Sequence, residues 1–338
     1  MTHPCITAVG TALPGPAVDN DHLAKTLGVN REWVDLFIGT KTRHFAVDLT
    51  TGEQHSTLTD LAEEAAATAM RRAGARPQDI DFVVLATASP DELMPATVNK
   101  VADRLGLDQI PTYQLQSGCA GAIQALDLGR LLLQRPENRT GLVIGGDVCA
   151  KHLRLDRDFT RLPSHELVNY VLFGDGAGAV VLTGQEDAEG MAVHTVLNQF
   201  AGRGQPAGQV IRWFGAAEST DGVAPAEEDY KAIERRVPHL ADEILWQLLE
   251  TTGWTPEDLA YVLPPQLSGR MTRRITEHLQ LPGAQEISCV ADTGNNGNAL
   301  PFFQLERLAE RIRPGERALA ICVESSKWLK GGFAVEGR

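Results

Sequence analysis

The 338-residue chain has no apolar run long enough to cross a bilayer; the longest, such as 82–86 and 318–323, fall far short of the roughly 18 residues a span requires. Its first ten residues lack the basic start and apolar segment of a secretory leader, so a cytoplasmic location is expected. Basic residues are in deficit, with 31 Lys and Arg against 44 Asp and Glu and a formal net charge of −13. That field repels nucleic acid, and an acidic protein partner needs a local basic patch to be held. Cysteine pairs are missing too. Cys5, Cys119, Cys149, Cys289 and Cys322 are widely spaced and contain no CxxC, which argues against both a disulfide framework and a structural zinc site, and no metal is expected.

What the chain does have is core. Hydrophobic residues make up 43% against 22% charged, the balance of two domains or of one large fused unit. Two helix-then-strand patterns recur along it. AAATAMRRAGARPQDIDFVVL (65–85) and EILWQLLETTGWTPEDLAYVL (243–263) share an order of features in which Gly74, Pro77 and Asp79 return as Gly253, Pro256 and Asp258, each 179 residues on. After the second helix, Pro136 and Arg139 before an apolar strand return as Pro314 and Arg317, each 178 residues on. A repeat of this kind predicts two similar α/β halves. The continuous apolar runs FVVLATA and ALAICV predict strands covered by helices on both faces. Two similar sheets with helices between and outside them are therefore expected, dividing at the polar 184–190 segment into residues 1–184 and 185–338.

In TYQLQSGCAGAIQALDLGR (112–130), a short extended stretch passes through Gly118 into a helix, which puts Cys119 at or just before the first helical turn. Unpaired N–H groups and the positive end of the helix dipole favour a thiolate and an oxyanion there. The small residues Gly118, Ala120 and Gly121 leave room for a substrate to reach the sulfur, so Cys119 is the candidate nucleophile. A buried structural cysteine is the other reading. The repeat offset carries Cys119 onto Gly297 in DTGNNGNAL (292–300), a second polar loop opening a helix. Asn295, Asn296 and Asn298 there read either as turn and cap residues or as amide donors to a substrate carbonyl. FGDGAGAVVL (173–182) contains GxGxxA, yet a helix precedes it and a strand follows, the reverse of a dinucleotide loop.

Taken together these segments resemble the thiolase-fold condensing enzymes of the β-ketoacyl-acyl-carrier-protein synthase III branch. The resemblance runs through EWVDLFIGTKTR (32–43), SGCAGA (117–122), FGDGAGAVVL, LPPQ (263–266), TGNNG (293–297) and GGF (331–333), nearly the whole chain. It implies a thiolase-like five-layered αβαβα fold of two duplicated halves and a homodimer. Cys119 would accept an acyl group from an acyl carrier protein or coenzyme A thioester of phosphopantetheine, with no bound cofactor. The N–H groups of Cys119 and Gly331 would form the oxyanion hole, and Asn295 would be an amide donor. Trp33 matches an aromatic residue at the tunnel mouth, with a half-buried surface tryptophan as the other reading. Met94 matches an apolar residue that reaches into the partner's pocket, and Phe173 and Asn296 are assigned to substrate binding. Arg270 matches a carrier-docking position and, with Arg273 and Arg274, forms either a docking patch or a solvated helix face. Phe37 stands where the family often has an arginine near the coenzyme A phosphates.

One position departs from the pattern. The family's histidine in its PHQ segment is replaced by Pro265, which removes one of two groups that polarise a malonyl thioester. Loss of such a donor costs about 10²–10³ in rate. The sequence therefore predicts an acyltransferase of secondary metabolism that passes the Cys119 acyl group to a small-molecule nucleophile. Decarboxylative synthase III activity and a non-catalytic partner subunit are the alternatives. His165, His194, His239 and Asp292 are candidate substitute bases, each with a structural or solvated alternative.

Overall fold

The computed structural model describes residues 3–211 and 226–338. Ten strands form its main sheet: β1 (Cys5–Ala12), β2 (Phe82–Thr87), β3 (Thr112–Gln116), β4 (Thr140–Asp147), β5 (Gly176–Thr183), β6 (Met191–Phe200), β7 (Leu259–Leu263), β8 (Gln285–Glu286), β9 (Arg317–Glu324) and β10 (Leu329–Gly337). The helices that matter for the site are α1 (Leu58–Ala73), α2 (Gly121–Leu132), α3 (Ser164–Leu172), α4 (Tyr230–Thr252), α5 (Gly269–Leu279) and α6 (Leu300–Ala309).

The repeat seen in the sequence is a repeat of structure. α1 ends at Gly74 and α4 at Gly253, both left-handed with φ of 65° and 71°, a conformation that glycine adopts without a Cβ penalty. Each is followed by a single 3₁₀ turn, Pro77–Asp79 or Pro256–Asp258, and then by a buried strand, β2 or β7. The strand orders β3-β2-β4-β5-β1 and β8-β7-β9-β10-β6 match position for position. So do the senses of pairing, parallel from β3 to β4 and from β8 to β9, antiparallel beyond.

The two similar sheets expected from the repeat are present and are joined edge to edge. Edge strands β1 and β6 pair antiparallel through Cys5 with Ala192 and Ile6 with Met191, joining both halves into a single ten-stranded sheet. Pairing two edges satisfies main-chain groups that would otherwise need cover. Three apolar layers then define the stack. One lies between α1 and the outer face of the first half, another between α4, α5 and the outer face of the second. The third holds Ile123 and Leu126 of α2 and Phe302 and Leu305 of α6 against strands of both halves. Five layers result, with the two repeat-related helices at the centre.

Glycine lets the central layer close. A Cβ on Gly145 of β4 would lie 2.4 Å from the Asn298 carbonyl oxygen and 2.6 Å from the Phe302 ring, whereas one on Gly184 would meet nothing nearer than 4.0 Å. Gly145→Ala should therefore lower the unfolding free energy by about 1–3 kcal/mol, and Gly184→Ala should change it by less than about 0.5 kcal/mol. Urea midpoints for the two variants check this, and equal midpoints would count against the packing account.

Candidate active site

β3 delivers the chain to a tight turn, Gly118 to Gly121, closed by the Gly121 N–H donating to the Gly118 carbonyl at 2.8 Å, and α2 begins at Gly121. Cys119 sits in this turn, partly buried against the central core. Its carbonyl accepts a hydrogen bond from the Cys322 thiol at 3.0 Å. The glycines on either side are there for space. A Cβ on Gly118 would lie 2.9 Å from the Glu324 carboxyl carbon, and one on Gly121 would lie 2.4 Å from the Asn298 side-chain oxygen.

The second polar loop arrives from the other half and is held by one carboxylate. Asp147, buried at the end of β4, accepts through Oδ1 from Thr87 Oγ1 (3.0 Å), the Ala88 N–H (2.8 Å), the Ser89 N–H (3.1 Å) and Ser89 Oγ (2.9 Å). Through Oδ2 it accepts from the Asn298 N–H and from Asn298 Nδ2, both at 2.9 Å. Asn298 Nδ2 also donates to the Ser117 carbonyl at 3.0 Å, so the two helix starts related by the repeat meet directly.

A cavity of about 30 Å³ lies beside the sulfur, lined by Cys119, Pro265, Gln266, Leu267, Gly297, Leu300 and Cys322 among others. That is room for about one water molecule. Pro265 thus shares a cavity wall with the candidate nucleophile, and no imidazole stands there. A wider cavity of about 940 Å³ opens to the surface between Trp33, Phe37, His165, Glu228, Tyr230 and Arg270.

Burial, then the charges of Glu324 and Asp147, push the Cys119 thiol up to about 12. The resting group is the thiol, not the thiolate that the helix start favours. Loss of hydration and two nearby carboxylates outweigh the N–H groups of one helix end. Glu324, at the end of β9, was not identified from sequence. Its Oε2 accepts from Ser117 Oγ (3.0 Å) and the Ala120 N–H (3.2 Å), and Ser326 Oγ donates to its Oε1. The signal was an acid ending the apolar run ALAICV, where a buried strand has no ordinary use for one.

The remaining candidates separate into three groups. Gly331 lies in β10, paired with Cys322 on one side and Asn198 on the other, and its missing Cβ would stand 3.1 Å from Ile123 of α2. Asn295 stands behind the cavity wall, donating from Nδ2 to the Leu267 carbonyl at 3.2 Å and accepting from the Gly297 N–H at 3.1 Å. Asn296 is fully buried and donates to the Asp175 and Thr293 carbonyls, while the Phe173 backbone bridges to Asn295. These last two knit the loop together and line neither cavity.

Trp33 and Arg270 do share the mouth of the wide cavity, where the Arg270 guanidinium lies 5.7 Å above Phe37. Arg274 pairs with Glu234. Met94 and Leu93 project from a loop tip, 87% and 75% exposed. Of the candidate bases, His165 lies on the rim of the wide cavity, His194 packs between His3 and Trp254, His239 faces His278, and Asp292 is exposed and bonded to Arg307. Among the described residues no cluster of His, Cys, Asp and Glu fits a metal, and no helix is long and apolar enough to cross a membrane.

Comparison with known proteins bears on this geometry. Residues 113–199 match the family model described as 3-oxoacyl-[acyl-carrier-protein (ACP)] synthase III, and residues 249–323 match its C-terminal counterpart. The β-ketoacyl-[acyl-carrier-protein] synthase III of Rhodospirillum centenum is 31% identical over 320 residues, covering 93% of each chain. Among solved structures, AbyA1, a tetronic acid condensing enzyme, is 53% identical with a TM-score of 0.96, covering 99% of this chain and all of that one. The synthase III FabH of Pseudomonas aeruginosa is 26% identical with a TM-score of 0.83, covering 99% of this chain and 98% of that one.

The raised thiol generates a prediction. Alkylation of Cys119 by iodoacetamide should be slow at neutral pH and should accelerate as pH rises towards about 12. Glu324→Gln removes one of the charges that hold the thiol protonated, so it should speed alkylation at pH 8 by roughly several-fold. Timed intact-mass measurements check this; an unchanged or slower rate would remove Glu324 from the electrostatic account.

Proposed function

The chain belongs to the 3-oxoacyl-[acyl-carrier-protein] synthase III family, and we propose that it is a condensing acyltransferase of secondary metabolism. It loads an acyl group on Cys119 from a carrier-protein or coenzyme A thioester and passes it to a hydroxyl-bearing acceptor. The observation that carries this reading is Pro265 in the wall of the Cys119 cavity. Malonyl decarboxylation develops enolate charge that two positioned donors must stabilise, and a proline supplies none. Self-acylation requires the thiol and the N–H groups about it, and transfer to oxygen requires no enolate.

The likeness to a tetronic acid condensing enzyme sharpens the substrate class. A tetronic acid ring is closed by one C–O and one C–C bond. Taken apart at those bonds, a ring that bears an acyl group at C3 yields a β-ketoacyl thioester and a 2-hydroxyacyl thioester. The donor's α-carbon lies between two carbonyl groups, so it becomes nucleophilic without losing carbon dioxide. Missing decarboxylation machinery is what such a donor permits. In this scheme the N–H groups of Cys119 and Gly331 hold the thioester oxygen, and the Asn295 amide supports the cavity wall through the Leu267 carbonyl and the Gly297 N–H. Trp33 and Arg270 receive the phosphopantetheine arm at the wide mouth. The exposed pair Leu93 and Met94 packs against a second copy of the chain in a homodimer.

Incubation with β-ketoacyl thioesters should add the acyl mass to the wild type and to Cys149→Ala, and should add nothing to Cys119→Ala. Acylated enzyme given a 2-hydroxyacyl thioester should release an ester or cyclised product. Given malonyl-carrier protein, it should release no carbon dioxide at ordinary turnover of about 1 s⁻¹. Rapid carbon dioxide release with a β-ketoacyl product would replace the transferase reading with a decarboxylative one.

A further inference from the structure

Transfer to a hydroxyl requires a group to take its proton, and the Cys119 pocket supplies no obvious one. Pro265 has none to offer. Glu324 is held by three donors from Ser117, Ala120 and Ser326. The wide cavity, however, contains a second carboxyl. Glu228 ends the short strand Ala226–Glu228, which pairs antiparallel with Gln209–Ile211. Its Oε1 accepts from Gln209 Nε2 at 2.5 Å, and among the described residues no donor is bonded to Oε2.

Hydrogen bonds fix where this carboxyl stands. The Asp229 N–H donates to the Gly208 carbonyl at 2.7 Å, and the Gly208 N–H donates to the Ser325 carbonyl at 3.0 Å, one residue beyond Glu324. The strand carrying Glu228 is thereby tied to the turn that borders the nucleophile. Its side chain lines the wide cavity with Trp33, Tyr230 and Arg270, and its charge is felt at the Cys119 sulfur.

We propose that Glu228 is a catalytic residue of the transfer step, its carboxylate accepting the proton of the acceptor hydroxyl as that oxygen attacks the Cys119 acyl thioester. The inference rests on the hydroxyl-acceptor reading above. In the step, a bond forms between the acceptor oxygen and the acyl carbon. The bond from that carbon to Sγ breaks with its electron pair leaving on sulfur. Glu228 then returns the proton to the thiolate, which restores both thiol and carboxylate. Burial pushes the Glu228 carboxyl up to about 7, close to the working pH at which a general base is most effective. The other charged and titratable groups around the cavity are Arg270 of α5, Tyr230, Lys231 and Glu234 of α4, His165 of α3, and Asp229 beside it.

Glu228→Gln tests this, because the amide keeps the shape and still accepts from Gln209. The variant, first acylated on Cys119 with the load verified by intact mass, should transfer to a 2-hydroxyacyl thioester about 10²–10⁴-fold more slowly than wild type in a single turnover. Wild-type transfer should rise with pH through about 7 as the carboxylate forms. That limb should vanish in Glu228→Gln, and Glu228→Asp should restore part of it. Wild-type transfer rate and pH profile in Glu228→Gln would overturn the inference and leave the transferase reading standing. Equal loss of acylation and transfer would overturn it as a transfer-step role. A wild-type acyl-enzyme that transfers to no hydroxyl at all would bring down the reading and the inference with it.

Discussion

Asp147 is the joint on which the site depends. A carboxylate removed from water loses hydration worth many kcal/mol unless hydrogen bonds replace it. Here the Thr87–Ser89 turn supplies donors to one oxygen and Asn298 supplies two to the other. The first set belongs to the half that carries Cys119 and the second to the half that faces it. Neither half can satisfy this carboxylate alone, so the same interaction that pins the 293–299 loop also sets the separation of the two helix starts. Burial still pushes the Asp147 carboxyl above its ordinary range, against the pull of those donors. The group therefore favours the protonated form more in the folded chain than in the unfolded one, and stability from this source falls as pH rises above the ordinary carboxyl range.

Much of the architecture could be read from sequence because its punctuation is chemically narrow. Gly74 and Gly253 occupy left-handed helix ends, and Pro77 and Pro256 open single 3₁₀ turns. Few other residues suit either place, so the repeat survives in those positions although most other residues differ. Cys119 was legible for a related reason, since the glycines beside it are demanded by Glu324 and Asn298. The joining of β1 to β6 was not legible. It is a pairing of two edges through a few residues, and nothing in an edge strand names its partner.

The carboxyls escaped for a different reason. Glu324 and Glu228 are ordinary in type and distant from Cys119 in sequence, and only the closure of the central layer brings their charges onto one sulfur. Asn296 shows the converse. Its place opposite Cys119 in the repeat made it a candidate amide donor to substrate, whereas the fold commits its amide N–H groups to the Asp175 and Thr293 carbonyls. Sequence reports which residues have the chemistry, and burial decides which of them still have it to use.

Duplication ordinarily gives a protein two of everything, yet only the first half carries a cysteine at this helix start. The counterpart of Cys119 in the second half is Gly297, left-handed at φ 56°, where a Cβ would lie 2.2 Å from Asp147 Oδ2. The second copy contributes an absence, since the space a side chain would fill belongs to the carboxylate that holds the halves together. One paralogous position carries the candidate nucleophile and the other is part of its cavity wall. That division of labour cannot be undone by restoring cysteine at Gly297, because the site that binds the two halves leaves no volume for a twin.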